Sequence, residues 1–192
     1  MTDEKLIRTF LAIELPEEIK VQIGNIQNRL KVTVKGVRWT RPEGIHLTLK
    51  FFGNVSENDI VNISRIVEKN TIDVRPLTLN VSTVGTFPNF KRPRVLWLGI
   101  SGSVERLSDL QKEIENDLES IGFQRENRVF RAHLTLGRVK PPKDVKGLSE
   151  IIKSEESYDA GSFRAGGLTL FKSDLTPQGA IYTKLAYFPF DG

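Results

Sequence analysis

The chain contains two histidines, and each heads the same tetrapeptide: His46-Leu47-Thr48-Leu49 and His133-Leu134-Thr135-Leu136. Residues two apart on a strand point to one side. His46 therefore shares a face with Thr48, and His133 with Thr135, while Ile45, Leu47 and Leu49, and likewise Ala132, Leu134 and Leu136, take the core side. With a reference pKa near 6.5, an imidazole can take or give a proton near neutrality. Two imidazoles on opposite sides of one phosphate can support an in-line displacement. One takes a proton from attacking water, the other supplies one to the departing oxygen, and threonine hydroxyls donate to the non-bridging oxygens. The two motifs are chemically alike, so the residues alone do not assign acid and base. HLTL is also an ordinary β-prone segment; against coincidence stands the absence of any histidine outside it. Two histidines without a carboxylate at ligand spacing make a poor zinc or iron site, so neither metal nor cofactor is expected.

These motifs need strands to carry them. The pattern predicts a buried strand at 6–15, then a helix from Pro16 to about Lys31 with Ile19, Ile23, Ile26 and Leu30 at helical spacing. A short strand at 37–40, a turn at Pro42 and Gly44, and an alternating strand at 45–52 follow. Ser56 and Asp59 resemble a capping box opening a helix to about Lys69. Strands are expected at 76–84 and 94–100, then a helix from Gly102-Ser103 to Ile121, stopped by Gly122. A strand at 130–139 ended by Pro141-Pro142, a short helix at 145–154, and strands at 161–171 and 180–188 joined through Pro177 and Gly179 complete the chain. RTFLAIEL, a helix and HLTLKFFG are echoed by RVLWLGIS, a helix and HLTLGRV; His46 follows Arg8 by 38 residues and His133 follows Arg94 by 39. A supersecondary unit used twice would set His46 and His133 across a pseudo-two-fold axis. The expected class is α+β and bilobal: two pseudo-symmetric antiparallel-sheet lobes, helices outside, the cleft between them.

Bulk composition bounds the rest. A length of 192 residues suits one domain made of two intertwined lobes, spanning 1–192, with one motif in each. Hydrophobic residues at 39% suffice for a real core. Without cysteine, disulfides, thiolate catalysis and cysteine-ligated zinc are excluded. The net charge of +4 favours an anionic partner but is too small to identify one. The acidic N-terminus does not read as a secretory signal, and no apolar run reaches the length of about 20 residues that a membrane helix needs, so a cytoplasmic protein is expected.

RTFLAIELPEEI, the two H-x-T-x motifs, RPRVLWLGI, FRAHLTLGR and GLTLFKSDLTPQGAIYTKL together resemble the RNA 2′,3′-cyclic phosphodiesterase (2′-5′ RNA ligase) family of the 2H phosphoesterase superfamily, over nearly the whole chain. The resemblance implies hydrolysis of a 2′,3′-cyclic phosphate at an RNA end, tRNA fragments included, or in a cyclic nucleotide, to a 2′-phosphomonoester. His46 would be the proton donor and His133 the proton acceptor, with Thr48 and Thr135 on the phosphate. It also implies that Phe51 and Arg138, each five residues past its histidine, sandwich the nucleobase. An offset of five lies on the wrong side of an ideal strand, so a bulge, twist or strand end must re-aim both. Family members often have proline before the second histidine; Ala132 stands there, and no catalytic group is lost.

Secondary candidates are Lys50 and Arg131, for positive potential near a phosphate, and Lys91, Arg92, Arg94 and Trp97, which could help hold RNA, although the run at 91–94 reads better as a solvated loop and Trp97 as core. Two other functions fit the residues: ATP-independent 2′-5′ RNA ligation, and an RNA-end-binding module without turnover. A monomer is expected, because the repeat supplies both half-sites.

Overall fold

The computed structural model describes residues 6–140, 148–155, 157–177 and 179–192. In chain order the first part runs β1 (Ile7–Ile13), α1 (Glu17–Thr33), β2 (Val37–Trp39), a 3-10 turn (Pro42–Gly44), β3 (Leu47–Val55), α2 (Glu57–Thr71) and β4 (Leu77–Phe87). Then come β5 (Val95–Gly102), α3 (Val104–Ser120), β6 (His133–Val139), α4 (Leu148–Ser154), β7 (Asp159–Ala165), β8 (Gly167–Thr176) and β9 (Gly179–Pro189). Every strand pairing is antiparallel, in two sheets ordered β3-β1-β8-β9 and β2-β6-β5-β4-β7.

The repeat read from sequence is a repeat of topology. β1 and β3 pair, with α1 in the connection between them; β5 and β6 pair, with α3 in theirs. Each sheet then takes its next strand from the other half of the chain, β8 beside β1 and β4 beside β5. One core unites them. Leu11 and Ile13 of β1, Ile23 and Ile26 of α1, Ile63 of α2, Leu96 and Leu98 of β5, Leu118 of α3, and Leu134 and Leu136 of β6 are all buried in the same cluster.

The helix signals act as their chemistry requires. Pro16 sits just outside α1 in extended backbone, with Glu17 and Glu18 in the first turn, where acids complement the helix dipole. Ser56 Oγ accepts from the Asp59 N–H while Asp59 accepts from the Ser56 N–H, a complete capping box. At the end of α3, Gly122 takes φ +98 and donates to the Glu119 carbonyl, and Phe123 donates to that of Leu118, closing a Schellman motif. Among the described residues no helix is long and apolar enough to cross a membrane.

Three expectations are corrected. The strand expected at 161–171 is two strands in different sheets: the chain leaves β7 and enters β8 at Gly166. A Cβ on Gly167 would lie 2.4 Å from the Phe188 carbonyl oxygen, so this tight passage beside β9 admits only glycine. The motif strands also start later than alternation suggests. Ile45 and His46 precede β3, and β6 begins at His133, so each histidine stands at the mouth of its strand. The Pro141-Pro142 stop and the first turn of the helix expected at 145–154 lie outside the described residues.

Lys50 is the third correction. Its ammonium turns into the interior and donates to both Glu115 carboxylate oxygens (2.9 and 2.8 Å) and to the Gln124 carbonyl (2.9 Å). Lys50 and Glu115 are each 5% exposed, so the charge is spent tying β3 to α3 and does not face a phosphate. Removing one member of such a pair leaves a buried charge uncompensated. Lys50→Met is therefore expected to lose about 3–5 kcal/mol of unfolding free energy in urea titration, with most of it regained on adding Glu115→Met. A loss below about 1 kcal/mol for the single variant contradicts this role.

Candidate active site

Each half-site is built on the same backbone plan. Buried Ile45 and Leu47 fix the chain around His46 and leave its ring on the other side. That ring packs against Phe171 (4.6 Å between centroids), Tyr182 (5.2 Å) and Phe10 (5.8 Å) and donates to the Gly44 carbonyl. Burial pushes the His46 pKa down to about 4; the Gly44 hydrogen bond opposes this, Lys20 and Lys184 add to it, and Glu14 opposes it. In the free protein His46 is neutral at physiological pH.

His133 meets the Phe87 ring edge-on at 5.0 Å. Its Nδ1 lies 2.6 Å from the Arg131 carbonyl oxygen. A carbonyl only accepts, so Nδ1 carries a proton, and in the neutral tautomer this leaves the lone pair on Nε2. Arg131 thus acts through its main chain, and its side chain is exposed. In both motifs the imidazole is held by the carbonyl two residues before it.

The bulge that the offset of five demands is present twice. In the β1–β3 ladder Thr48 pairs with Ala12 and Lys50 with Leu11, so Leu49 is an extra residue. In the β5–β6 ladder Thr135 pairs with Trp97 and Gly137 with Leu96, so Leu136 is an extra residue. Each bulge falls three residues past its histidine and reverses the alternation beyond it. Phe51 then faces the same side as His46 and Thr48, with its ring 5.6 Å from Phe10. Arg138 returns to the side of His133 and Thr135. Both are exposed, Phe51 by 57%. A groove of about 560 Å³ opens beside Phe51, walled by Phe123, Arg125 and Arg128. Thr48 and Thr135 are half-buried, and neither hydroxyl has a hydrogen-bond partner among the described residues, which leaves both free to donate. The motif strands β3 and β6, though in different sheets, touch each other.

Some supporting residues were not legible in the sequence. Gln27, fully buried in α1, donates to the carbonyl of Leu136, the bulged residue itself (2.9 Å), and to that of Thr40 (2.7 Å). Glu14 accepts from Thr169 (2.7 Å) and pairs with Lys184 (2.6 Å) near His46. Burial pushes the Glu14 carboxyl up, but the bonds from Lys184 and Thr169 outweigh it and hold the pKa low. Only tertiary pairing brings these partners together. Trp97, read as core, lies instead on the site face, paired with Thr135 and stacked near Phe87 (5.2 Å). It covers Gly85, where a Cβ would lie 2.3 Å from the indole. Lys91 and Arg92 sit in the exposed β4–β5 loop, where their N–H groups cap Asn89 Oδ1, and Arg94 at its end is exposed too.

The chain as a whole is similar to known proteins. The model of the family described as LigT-like phosphoesterase matches twice, at residues 13–97 and 98–182, once for each half of the repeat. The chain is 37% identical over 182 residues to the RNA 2′,3′-cyclic phosphodiesterase of Methanothermobacter thermautotrophicus, covering 95% of this chain and 98% of that protein. It is also 37% identical to the protein of the same name from Methanocaldococcus jannaschii, over 92% of this chain and 96% of the relative. Among solved structures, TT0787 of Thermus thermophilus shares the fold (TM-score 0.82, 24% identity, 97% and 99% of the two chains). So does E. coli LigT complexed with 3′-AMP (TM-score 0.78, 25% identity, 97% and 99%).

The environment of His46 has a consequence for stability. Above pH 6.5 the ring is neutral folded or unfolded. Between 6.5 and about 4 the unfolded chain binds a proton that the folded chain refuses, so stability falls as pH falls. The wild type is expected to lose on the order of 2–3 kcal/mol more than His46→Gln between pH 7 and pH 4 in urea unfolding. Identical pH dependence in the two proteins contradicts the buried neutral ring.

Proposed function

The chain belongs to the LigT-like phosphoesterase family of hydrolases, and on that premise we propose that it opens 2′,3′-cyclic phosphates at RNA ends, giving 2′-phosphomonoesters. The observation that carries this reading is the doubled half-site: an imidazole oriented by the carbonyl two residues back, a free threonine hydroxyl and a re-aimed side chain, on two strands that touch.

Water attacks phosphorus and gives its proton to His133 Nε2, whose lone pair is left open by the Nδ1–H bond to Arg131. The P–O bond to water forms as the P–O3′ bond breaks, and His46 protonates the departing 3′ oxygen. An acid must be protonated before it acts, and His46 is neutral in the free protein. The phosphate supplies the missing condition, because an anion beside an imidazole favours its charged form. Glu14 acts in the same direction. The Thr48 and Thr135 hydroxyls donate to the non-bridging oxygens. Phe51 and Arg138 hold the base between an aromatic face and a guanidinium plane. Every proton in this scheme moves through the two imidazoles, and no step calls on a metal ion.

Purified protein given a 2′,3′-cyclic nucleotide in excess EDTA is expected to turn it over, with 31P NMR showing a 2′-phosphate. His46→Ala and His133→Ala should each lower turnover about 10²-fold or more. Activity abolished by the chelator and restored by a divalent metal, a 3′-phosphate product, or tight binding without turnover by the wild type would each overturn the proposal.

A further inference from the structure

The register sets Arg38 directly opposite Arg138: Val37 pairs with Val139, Arg38 with Arg138 and Trp39 with Gly137. Directly paired residues share a face. Val37 and Trp39 pack against the core, so the Arg38 side chain leaves on the other side, the one that carries Arg138, Thr135 and His133. Both arginines are exposed, and neither has a carboxylate within ion-pair distance among the described residues. Like charges directly opposite one another in an antiparallel pair repel.

The fold holds the two main chains together. β2 is an edge strand of three residues, yet its pairing is continued at both ends, by the Thr40 N–H to the Leu136 carbonyl (2.9 Å) and the Lys140 N–H to the Gly36 carbonyl (2.8 Å). It sits so close to β6 that a Cβ on Gly137 would lie 2.7 Å from Val37 Cγ1 and 3.0 Å from the Arg38 carbonyl oxygen. Two arginines are thus held side by side at their main chains, on one face and without a counter-charge among the described residues. An anion relieves the repulsion, and guanidiniums are the side chains best shaped to take phosphate oxygens through paired N–H donors.

The scissile phosphate is not that anion. At about 3.3 Å per residue, Arg138 stands roughly 15 Å along β6 from His133, too far for Arg38 to share a phosphorus held at the histidines. We propose that Arg38 and Arg138 form a two-arginine clamp for a second phosphate, the phosphodiester on the 5′ side of the terminal nucleoside, so that the site prefers an RNA strand over a mononucleotide. This rests on the proposed RNA-end chemistry. Arg138 serves both groups, stacking its plane on the terminal base while its edge donates to the phosphate, and Arg38 serves the phosphate alone.

The test reads binding rather than turnover. A 5′-labelled oligoribonucleotide ending in a 2′-phosphate is titrated by fluorescence anisotropy against the wild type, Arg38→Ala and Arg38→Lys. The matching nucleoside 2′-phosphate, which lacks the 5′ phosphodiester, serves as competitor. Arg38→Ala should weaken the oligonucleotide about 10-fold at low salt, the scale of one charge-assisted contact, and lower the slope of log K against log salt by about 0.7. Arg38→Lys should restore part of the affinity, since a point charge still serves a phosphate but lacks the paired donors. The nucleoside 2′-phosphate should bind all three proteins within about two-fold. Without ligand, Arg38→Ala should melt at or slightly above the wild-type temperature, because a repulsive pair is gone. Unchanged oligonucleotide affinity, an equal loss for the nucleoside 2′-phosphate, or a melting temperature several degrees lower would each overturn the clamp. Hydrolysis of cyclic ends with no effect of Arg38→Ala on binding defeats the clamp alone; the expected binding pattern without hydrolysis defeats the RNA-end chemistry alone.

Discussion

A strand alternates its side chains with a period of two, and the site exists because that period is broken twice at the same place. In a regular strand without the bulge at Leu49, Phe51 would enter the core and Lys50 would face the histidine; without the bulge at Leu136, Arg138 would turn away from His133. Bulges leave backbone groups to be satisfied, and the side chains around the two bulges differ. In one half, Gln27 of α1 reaches the carbonyl of the bulged Leu136. In the other, the inward turn of the chain after Leu49 delivers Lys50 to a buried carboxylate. The shared feature is the backbone, and the supports around it have diverged.

The same backbone plan orients both imidazoles. A carbonyl two residues upstream fixes each ring, so each imidazole has one nitrogen committed to the protein and one available to a substrate. The surroundings then separate the two rings. His46 lies among Phe10, Phe171 and Tyr182, where charge is costly, whereas His133 meets Phe87 at the opening of its strand. Equivalent residues in unlike environments are how one repeated motif can supply two different roles.

Much of this could be read from the chain alone. The two H-x-T-x motifs, the repeat, the Ser56 capping box and the Gly122 stop are local patterns whose chemistry acts within a few residues, and each folds as its pattern requires. What was misread depends on partners distant in sequence. Lys50 looked like a free cation because Glu115 is 65 residues away. Trp97 looked like core because its hydrophobic run does not reveal that Thr135 is its neighbour. The apolar segment 161–171 looked like one strand because nothing within it shows that β4 holds its first half and β1 its second. The pairing of Arg38 with Arg138 is a fact of register, set by the fold between two residues 100 positions apart.

In the proposed reaction both imidazoles address one phosphate. With two histidines in the chain, uniform 15N-histidine labelling gives two ring systems and nothing else to assign. Titration with a nucleoside 2′-phosphate, followed through the ring nitrogen resonances, is expected to move the signals of His46 and His133 together along a single binding curve. One ring responding while the other stays still, or two rings following different affinities, would contradict the account.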